Sequence, residues 1–323
     1  MARFFIRTIL IAVGLGFTAA AYAQNYPTRP IRLIVPFSPG GTSDLVGRLV
    51  GAKMGDALGQ TVVVDNRAGA GATIGTALAA AAPPDGYTIL VAHIGLALNE
   101  TLYARLPYSA LKNIAPVARI GSTPNAVVVK NALPVKTMQD FIAMAKKEPG
   151  KLDYGSGGVG GTGHLSVALL EHVAEVKFNH IPFKGGGPSV TAVAAGQVHF
   201  AIPALPTAAP HVKAGRVRLL AVTGAKRSPT FPDAPTVAEA AVPEYTFEAW
   251  FGIFAPAGTP PAVISRLNEV IVKALRGPEL SQQLTRAGLD PEPSTPAEME
   301  KILRADVGRW AKIIKAAGIP INK

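Results

Sequence analysis

Short apolar runs rich in β-branched residues alternate along this chain with segments of helical periodicity, and this alternation constrains the fold more than any other feature. A strand predicted at 31–37 is followed by a helix that begins at Thr42 or Ser43 and stops at Gly59. Such alternation is typical of a mainly parallel sheet, because a parallel connection needs a crossover as long as a helix. The sequence therefore predicts an α/β fold.

The alternation falls into two blocks, which predicts two lobes. Strands are predicted at 31–37, 61–65, 87–92, 127–130, 152–154, 178–183, 198–202, 217–222 and 245–254, and helices at 42–58, 75–82, 96–105, 138–147, 164–175 and 189–195. Three further helices begin at Pro261, Pro278 and Pro296 and form a tail too small to fold alone, which we expect to pack on the first block.

The chain then crosses between the lobes twice, near 122–125 and near Tyr245. The predicted boundaries are 24–124 and 246–323 for the first lobe and 125–245 for the second. Two crossings around a cleft describe a binding protein whose lobes close on a hinge.

Composition removes several classes of function. The chain has no cysteine, which excludes disulfide scaffolds, thiol catalysis, iron–sulfur clusters and cysteine-ligated zinc. Apolar residues make up 48% and charged residues 16%, the reverse of the pattern of a disordered protein. The net charge of +11 fits an anionic partner, but the basic residues are scattered and no nucleic-acid motif occurs. We therefore expect no nucleic-acid partner.

The N-terminus has the pattern of a secretory signal peptide at residues 1–23. Arg3 and Arg7 precede an apolar run at 9–17, and Ala21 and Ala23 supply the small residues of a cleavage site. A membrane anchor is the alternative, but the run is shorter than the ~20 residues that a span needs. We expect cleavage after Ala23 and export to the periplasm.

A glycine-rich loop at 36–44 (PFSPGGTSD) lies where the first predicted strand ends and a helix begins. Ligands of parallel α/β sheets bind at this edge, and paired glycines let backbone amides approach an anion at a helix N-terminus. An ordinary turn with an N-cap at Thr42 or Ser43 is the alternative. The candidate ligand contacts here are Phe37, Ser38, Gly40, Gly41, Thr42 and Asp44.

A second loop at 155–164 (GSGGVGGTGH) repeats this arrangement in the second block. Its candidate ligand contacts are Ser156, Gly157, Gly161, Thr162 and His164. The loop matches G-x-G-x-x-G formally, but the following strand ends without the acidic residue that a ribose needs, so we expect no nucleotide cofactor. The histidines lack metal-site spacing and no G-x-S-x-G nucleophile motif occurs, so we expect no metal and no catalytic residues.

Two further candidates stand outside these loops. His93 ends the third predicted strand, and Lys184 precedes three glycines, where its charge could meet an anion. A structural histidine and an ordinary surface lysine are the alternatives.

With these loops the chain resembles the periplasmic solute receptors of tripartite tricarboxylate transporters, also called the Bordetella uptake gene (Bug) family. The resemblance covers nearly the whole chain after the predicted signal peptide. It is carried by the segments at 26–44, 59–71 (GQTVVVDNRAGAG), 84–88 (PDGYT), 182–186 (PFKGG) and 255–260 (APAGTP).

This resemblance implies a type II periplasmic binding protein with two lobes, in which amides of the loops at 37–44 and 156–164 hold a carboxylate. The family often has Asp after Gly-x-Val in a later strand, where this chain has His199, so His199 is also a candidate ligand contact. The departure favours a neutral-ended or dicarboxylic ligand over one with an amine, and Phe37 and Phe183 suit an aromatic one.

The leading hypothesis is a monomeric, non-enzymatic carrier that captures a small organic carboxylate and presents it to the permease subunits of a tripartite tricarboxylate transporter. One alternative is a ligand-responsive sensor subunit that hands its closed form to a signalling partner. An exported hydrolase or lyase is a third, and it needs an activated nucleophile or base that the sequence does not offer.

Overall fold

The protein is described by a computed structural model that covers residues 26–316, Ile319 and Ile321, so the predicted signal peptide lies outside the described residues. The strands are β1 (Ile31–Val35), β2 (Val62–Asn66), β3 (Thr88–His93), β4 (Ile114–Pro124), β5 (Ala126–Val129), β6 (Asp153–Ser156), β7 (Asn179–Pro182), β8 (Phe200–Ala201), β9 (Arg218–Val222), β10 (Glu248–Pro256) and β11 (Asp290–Pro291). They form two separate sheets, with the orders β11-β4-β10-β3-β1-β2 and β7-β6-β8-β5-β9.

Helices connect the strands of both sheets. They are α1 (Thr42–Leu58), α2 (Thr73–Ala80), α3 (Gly95–Leu102), α4 (Met138–Lys147), α5 (Thr162–Ala174), α6 (Gly186–Ala194), α7 (Leu205–Lys213), α8 (Val237–Ala240), α9 (Pro261–Arg276), α10 (Pro278–Ala287) and α11 (Pro296–Ala316). The two-lobed α/β architecture predicted from the sequence is confirmed.

The first lobe combines sequence from both ends of the described chain. Strand β1 pairs in parallel with β2 and β3, whereas β10 returns after the second lobe and inserts antiparallel between β3 and β4. Helix α11 packs on α3 and β4, and buries Met299, Leu303, Trp310 and Ile314. The C-terminal helices therefore pack on the first lobe and do not form a separate unit.

Helix α1 lies unusually close to the first sheet because glycines face the strands. A Cβ atom on Gly47 would lie 2.8 Å from Val35 Cγ2, and one on Gly51 would lie 3.3 Å from Val62 Cγ1. The short β1–α1 connection then aims the N-terminus of α1 at the carboxyl end of β1, which is the edge where ligands bind in such sheets.

Two short segments join the lobes, one at Asn125 between β4 and β5 and the other just before β10. Thr223, at the end of β9, ties them together: its Oγ1 accepts from the amide of Asn125 (2.7 Å) and donates to the carbonyl of Phe247 (2.7 Å). No helix within the described part of the chain is long and apolar enough to cross a membrane.

Candidate ligand site between the lobes

A partly open cavity, with about 470 Å³ of empty space including its mouth, lies where the carboxyl ends of β1, β3, β6 and β8 meet. Both glycine-rich loops line it. The lining residues are Phe37, Gly41, Thr42, Ser43, His93 and Phe251 from the first lobe, and Gly155, Ser156, Gly157, Gly161, Thr162, Gly163, Gly186, Ser189, Pro203, Ala204 and Thr207 from the second. The predicted convergence of the two loops on one gap is therefore observed.

Four helices begin at this cavity. Their N-cap residues are Gly41 (α1), Gly161 (α5), Gly185 (α6) and Ala204 (α7), and none of these caps accepts a hydrogen bond through a side chain. Each helix N-terminus presents backbone N–H groups and about half a positive charge, which favours an anion. The sequence predicted two such entrances, and the structure brings together four.

The lobes touch directly beside these helix starts. Thr207 Oγ1 accepts from the amide of Thr42 (2.9 Å) and lies 2.8 Å from Thr42 Oγ1, and both residues are buried. A Cβ atom on Gly41 would lie 3.8 Å from the amide nitrogen of Gly187. Because glycines occupy both sides, the backbones of α1 and α6 approach closely enough for one small anion to reach both.

No Asp, Glu, Lys or Arg lines the cavity within the described residues. Its one titratable lining residue, His93, is buried between rings: its imidazole stacks on Phe37 (4.9 Å between centroids) and meets the edge of Phe251 (5.8 Å). Burial lowers the pKa of His93 to about 4, so the ring is neutral near pH 7.

The tautomer of His93 follows from its bond to the backbone. Its Nδ1 accepts from the amide of Gly95 (2.8 Å), so a neutral ring carries its hydrogen on Nε2. The site thus combines amide, hydroxyl and imidazole donors with no charged side chain. Such a site can hold an anion by charge-assisted hydrogen bonds.

Comparison with known proteins shows that the sequence of this chain matches a protein family. Residues 46–319 match the family described as "Tripartite tricarboxylate transporter family receptor". The chain belongs to this family. Protein BugT of Bordetella pertussis is 35% identical over 309 residues, which are 95% of this chain and 95% of BugT.

Two solved structures are similar over nearly their whole length. The R. palustris protein Rpa4515 with adipate has a TM-score of 0.89 and 37% identity, covering 91% of this chain and 99% of that one. MatC from Rhodopseudomonas palustris with bound malate has a TM-score of 0.85 and 31% identity, covering 90% and 100%. The family resemblance seen in the sequence is confirmed.

Eight of the predicted ligand contacts of this receptor line the cavity: Phe37, Gly41, Thr42, His93, Ser156, Gly157, Gly161 and Thr162. The other six do not, and they are Ser38, Gly40, Asp44, His164, Lys184 and His199.

Asp44 lies behind the first loop of the receptor and shapes it. Its carboxylate accepts from the amide of Gly40 (3.1 Å), from Arg48 Nε (3.1 Å) and from Asn66 Nδ2 (3.0 Å). Burial alone raises the pKa of Asp44, but the hydrogen bonds from Arg48, Gly40 and Asn66 outweigh it and hold that pKa below its ordinary value. Asp44 therefore stays ionised and pre-organises the loop without facing the cavity.

His164 lies behind the second loop in a cluster of rings. Its centroid is 4.7 Å from that of His180, whose Nε2 lies 2.6 Å from Ser156 Oγ. Ser156 Oγ also accepts from the amide of Gly158 (3.1 Å), so the cluster braces the loop from inside. Burial, with a smaller effect of His180, lowers the pKa of His164 to about 3.

Three candidates lie elsewhere in the receptor. Ser38 donates from its amide (3.1 Å) and its Oγ (2.7 Å) to the carbonyl of Lys184, so this pair joins the lobes outside the cavity. His199 lies at the amino end of β8, where its Nδ1 accepts from the amide of Asp153 (3.0 Å). Because the cavity lies at the carboxyl ends of β6 and β8, His199 is at the opposite edge of the sheet.

Sequence reasoning missed several lining residues, and those with a hydroxyl or an aromatic side chain are Ser43, Ser189, Thr207 and Phe251. The glycine triplet at 185–187 after a predicted strand was a signal for the start of α6. Thr207 follows Pro206 in a segment for which the sequence predicted no helix. Among the described residues, no cluster of His, Asp or Glu has the arrangement of a metal site.

Proposed function

We propose that this receptor is a periplasmic, non-enzymatic carrier that captures a small organic carboxylate in the cavity between its lobes and delivers it to the membrane permease of a tripartite tricarboxylate transporter. The observation that carries the proposal is the convergence of four helix N-termini, whose N-cap residues make no side-chain hydrogen bond, on a cavity with no Asp, Glu, Lys or Arg in its described lining. Membership of the receptor family supports the role in transport.

The chemistry of the lining favours a carboxylate over other small anions. Amides at Gly41, Gly163 and Gly186 line the cavity at the starts of α1, α5 and α6, which suits the two oxygens of a planar group. Hydroxyls of Thr42, Ser43, Ser189 and Thr207 lie among them. The rings of Phe37, His93 and Phe251 cover one side and suit an apolar carbon skeleton.

Two similar structures bear on the ligand class. One holds adipate and the other malate, and both ligands are dicarboxylates. We therefore expect an aliphatic or aromatic dicarboxylate to bind more tightly than a monocarboxylate of equal length.

The test is calorimetric titration of the purified chain with mono-, di- and tricarboxylates and with the matching neutral amides. Charged hydrogen bonds are each worth ~1.5 to 3 kcal/mol, so loss of one carboxylate charge is expected to weaken binding by about tenfold or more. Neutral amides that bind as well as the acids would contradict the proposal. Product formation from any bound ligand would contradict its non-enzymatic part.

A pair of glycine variants localises the site. Gly41→Val fills the space where α1 faces Gly187, and is expected to weaken binding of a monocarboxylate by about tenfold or more. Gly308→Val is the control, because a Cβ atom on Gly308 meets nothing within 4 Å. Lys184→Ala is expected to leave monocarboxylate binding unchanged. If Lys184→Ala lowers the affinity for a monocarboxylate more than Gly41→Val does, backbone amides are not the main contacts of the carboxylate.

A further inference from the structure

A second cavity, with about 790 Å³ of empty space, lies beside the first. Both lobes contribute to it. Its lining residues are Phe37, Gly69, Ala70, Gly71, Ala72 and Tyr103 from the first lobe, and Gly157, Gly158, Val159, Pro182, Phe183 and Lys184 from the second. Phe37 and Gly157 line both cavities, so these two residues form the boundary between them.

The second cavity differs from the first in charge. Lys184 is the one charged residue in its lining, and no Asp or Glu oxygen of the described residues lies within 4.0 Å of its ammonium group. The main chain at Lys184 is fixed, because its carbonyl accepts both the amide and the hydroxyl of Ser38. The backbone that carries this unpaired cation is therefore fixed beside an interlobe cavity that the carboxylate site adjoins.

The rest of the lining is apolar or already bonded. Phe37, Tyr103 and Phe183 supply aromatic rings, and the hydroxyl of Tyr103 donates to the carbonyls of Ala70 (2.9 Å) and Val159 (3.3 Å). Ala70 and Ala72 have positive φ values of 45° and 79°, a conformation that costs free energy in residues other than glycine. This bent loop brings the main chain of the first lobe up to Val159.

We infer that the second cavity receives the far end of the same ligand, and that this end carries a second anionic group paired with Lys184. The inference rests on the proposed function, since it needs the first carboxylate to be held at the helix N-termini. The ligand class is an α,ω-dicarboxylate whose apolar linker, aliphatic or aromatic, passes between Phe37 and Gly157. An amine-ended acid is disfavoured here because its ammonium would meet Lys184.

The test compares matched acids on one chain. Adipate and hexanoate have equal length and differ in the second carboxylate, and terephthalate and benzoate form the aromatic pair. The affinity ratio within each pair is measured by calorimetry for the wild type, Lys184→Ala, Lys184→Glu and the control Lys151→Ala, which changes another exposed lysine of the second lobe.

The wild type is expected to favour each diacid by about tenfold or more. Lys184→Ala is expected to bring the ratio close to one and Lys184→Glu to bring it below one, with monoacid affinity unchanged by Lys184→Ala. The inference is overturned if the diacid-to-monoacid affinity ratio is unchanged in both Lys184 variants. It is also overturned if Lys151→Ala lowers this ratio as much as Lys184→Ala does. Equal binding of mono- and diacid by the wild type also overturns it, while absence of any carboxylate binding instead contradicts the proposed function.

Discussion

At the scale of single residues, buried histidines make stability depend on pH. Burial lowers the pKa of His93 to about 4, and burial together with His180 lowers the pKa of His164 to about 3, against an ordinary value of 6.5. Between pH 6.5 and 4 the unfolded chain therefore binds more protons than the folded chain. The free energy of unfolding must fall as the pH falls through this window, by up to ~1.4 kcal/mol per pH unit for each histidine.

Urea denaturation at pH 7, 6 and 5 measures this slope. His93→Phe keeps the stack on Phe37 but removes one titrating group, so we expect a smaller loss of stability between pH 7 and 5 than in the wild type, whatever its stability at pH 7. Gln197→Asn, at an exposed position without a titratable side chain, is the control and is expected to keep the wild-type slope. An unchanged slope in His93→Phe would show that His93 titrates normally.

Residue-level prediction from the sequence worked where the signal is local. Gly41 and Gly161 each lie in a segment where a strand is followed by paired glycines and then by a helix start. This order places each glycine at the carboxyl edge of its own sheet, whatever the rest of the fold. Thr207 and Phe251 have no such local signal, because they reach the cavity only through the second lobe's approach and the return of β10. The roles of Asp44 and Ser156 depend on which neighbour each side chain bonds, and sequence spacing does not determine that.

At the scale of elements, the two connections between the lobes depend on one hydroxyl. Thr223 is fully buried, and its Oγ1 satisfies the amide of Asn125 and the carbonyl of Phe247. Thr223→Val keeps the shape but leaves two buried backbone groups unpaired, which is expected to cost about 2 to 5 kcal/mol. Thr223→Ser keeps the hydroxyl and loses one methyl group, at a cost of about 1 kcal/mol. Equal costs in chemical denaturation would contradict this account of the connection.

Helices and strands were predicted correctly where the local sequence marks their ends clearly, and were missed where it does not. The helices starting at Pro261, Pro278 and Pro296 begin where the sequence predicted, because proline at the first turn marks a helix start. Strand β4 was missed: it contains Pro116 and Gly121, and its pairing with β10 includes two register shifts that interrupt simple alternation. Helix α7 was missed because Pro206 and Pro210 both read as breakers, although the first lies at its N-terminus.

At the scale of the whole molecule, the lobes meet through backbone contacts that only small residues permit. Gly71 of the first lobe lies against Val159 of the second, and a Cβ atom on Gly71 would be 1.8 Å from the Val159 carbonyl oxygen. The contact between the lobes at this point therefore requires glycine at position 71. A larger residue there is expected to hold the lobes apart while leaving each lobe's own core intact.

Gly71→Ala and Gly59→Ala separate closure from backbone strain. Gly71 and Gly59 have similar left-handed φ values (59° and 67°), but a Cβ atom on Gly59 meets nothing within 4 Å. Both variants should lose similar stability from the strained backbone, roughly 1 kcal/mol, whereas only Gly71→Ala should weaken carboxylate binding. In small-angle scattering, saturating ligand should compact the wild type and Gly59→Ala more than Gly71→Ala. Equal affinity and equal compaction in the two variants would mean that the Gly71–Val159 contact does not limit closure, and that the lobes grip the ligand without it.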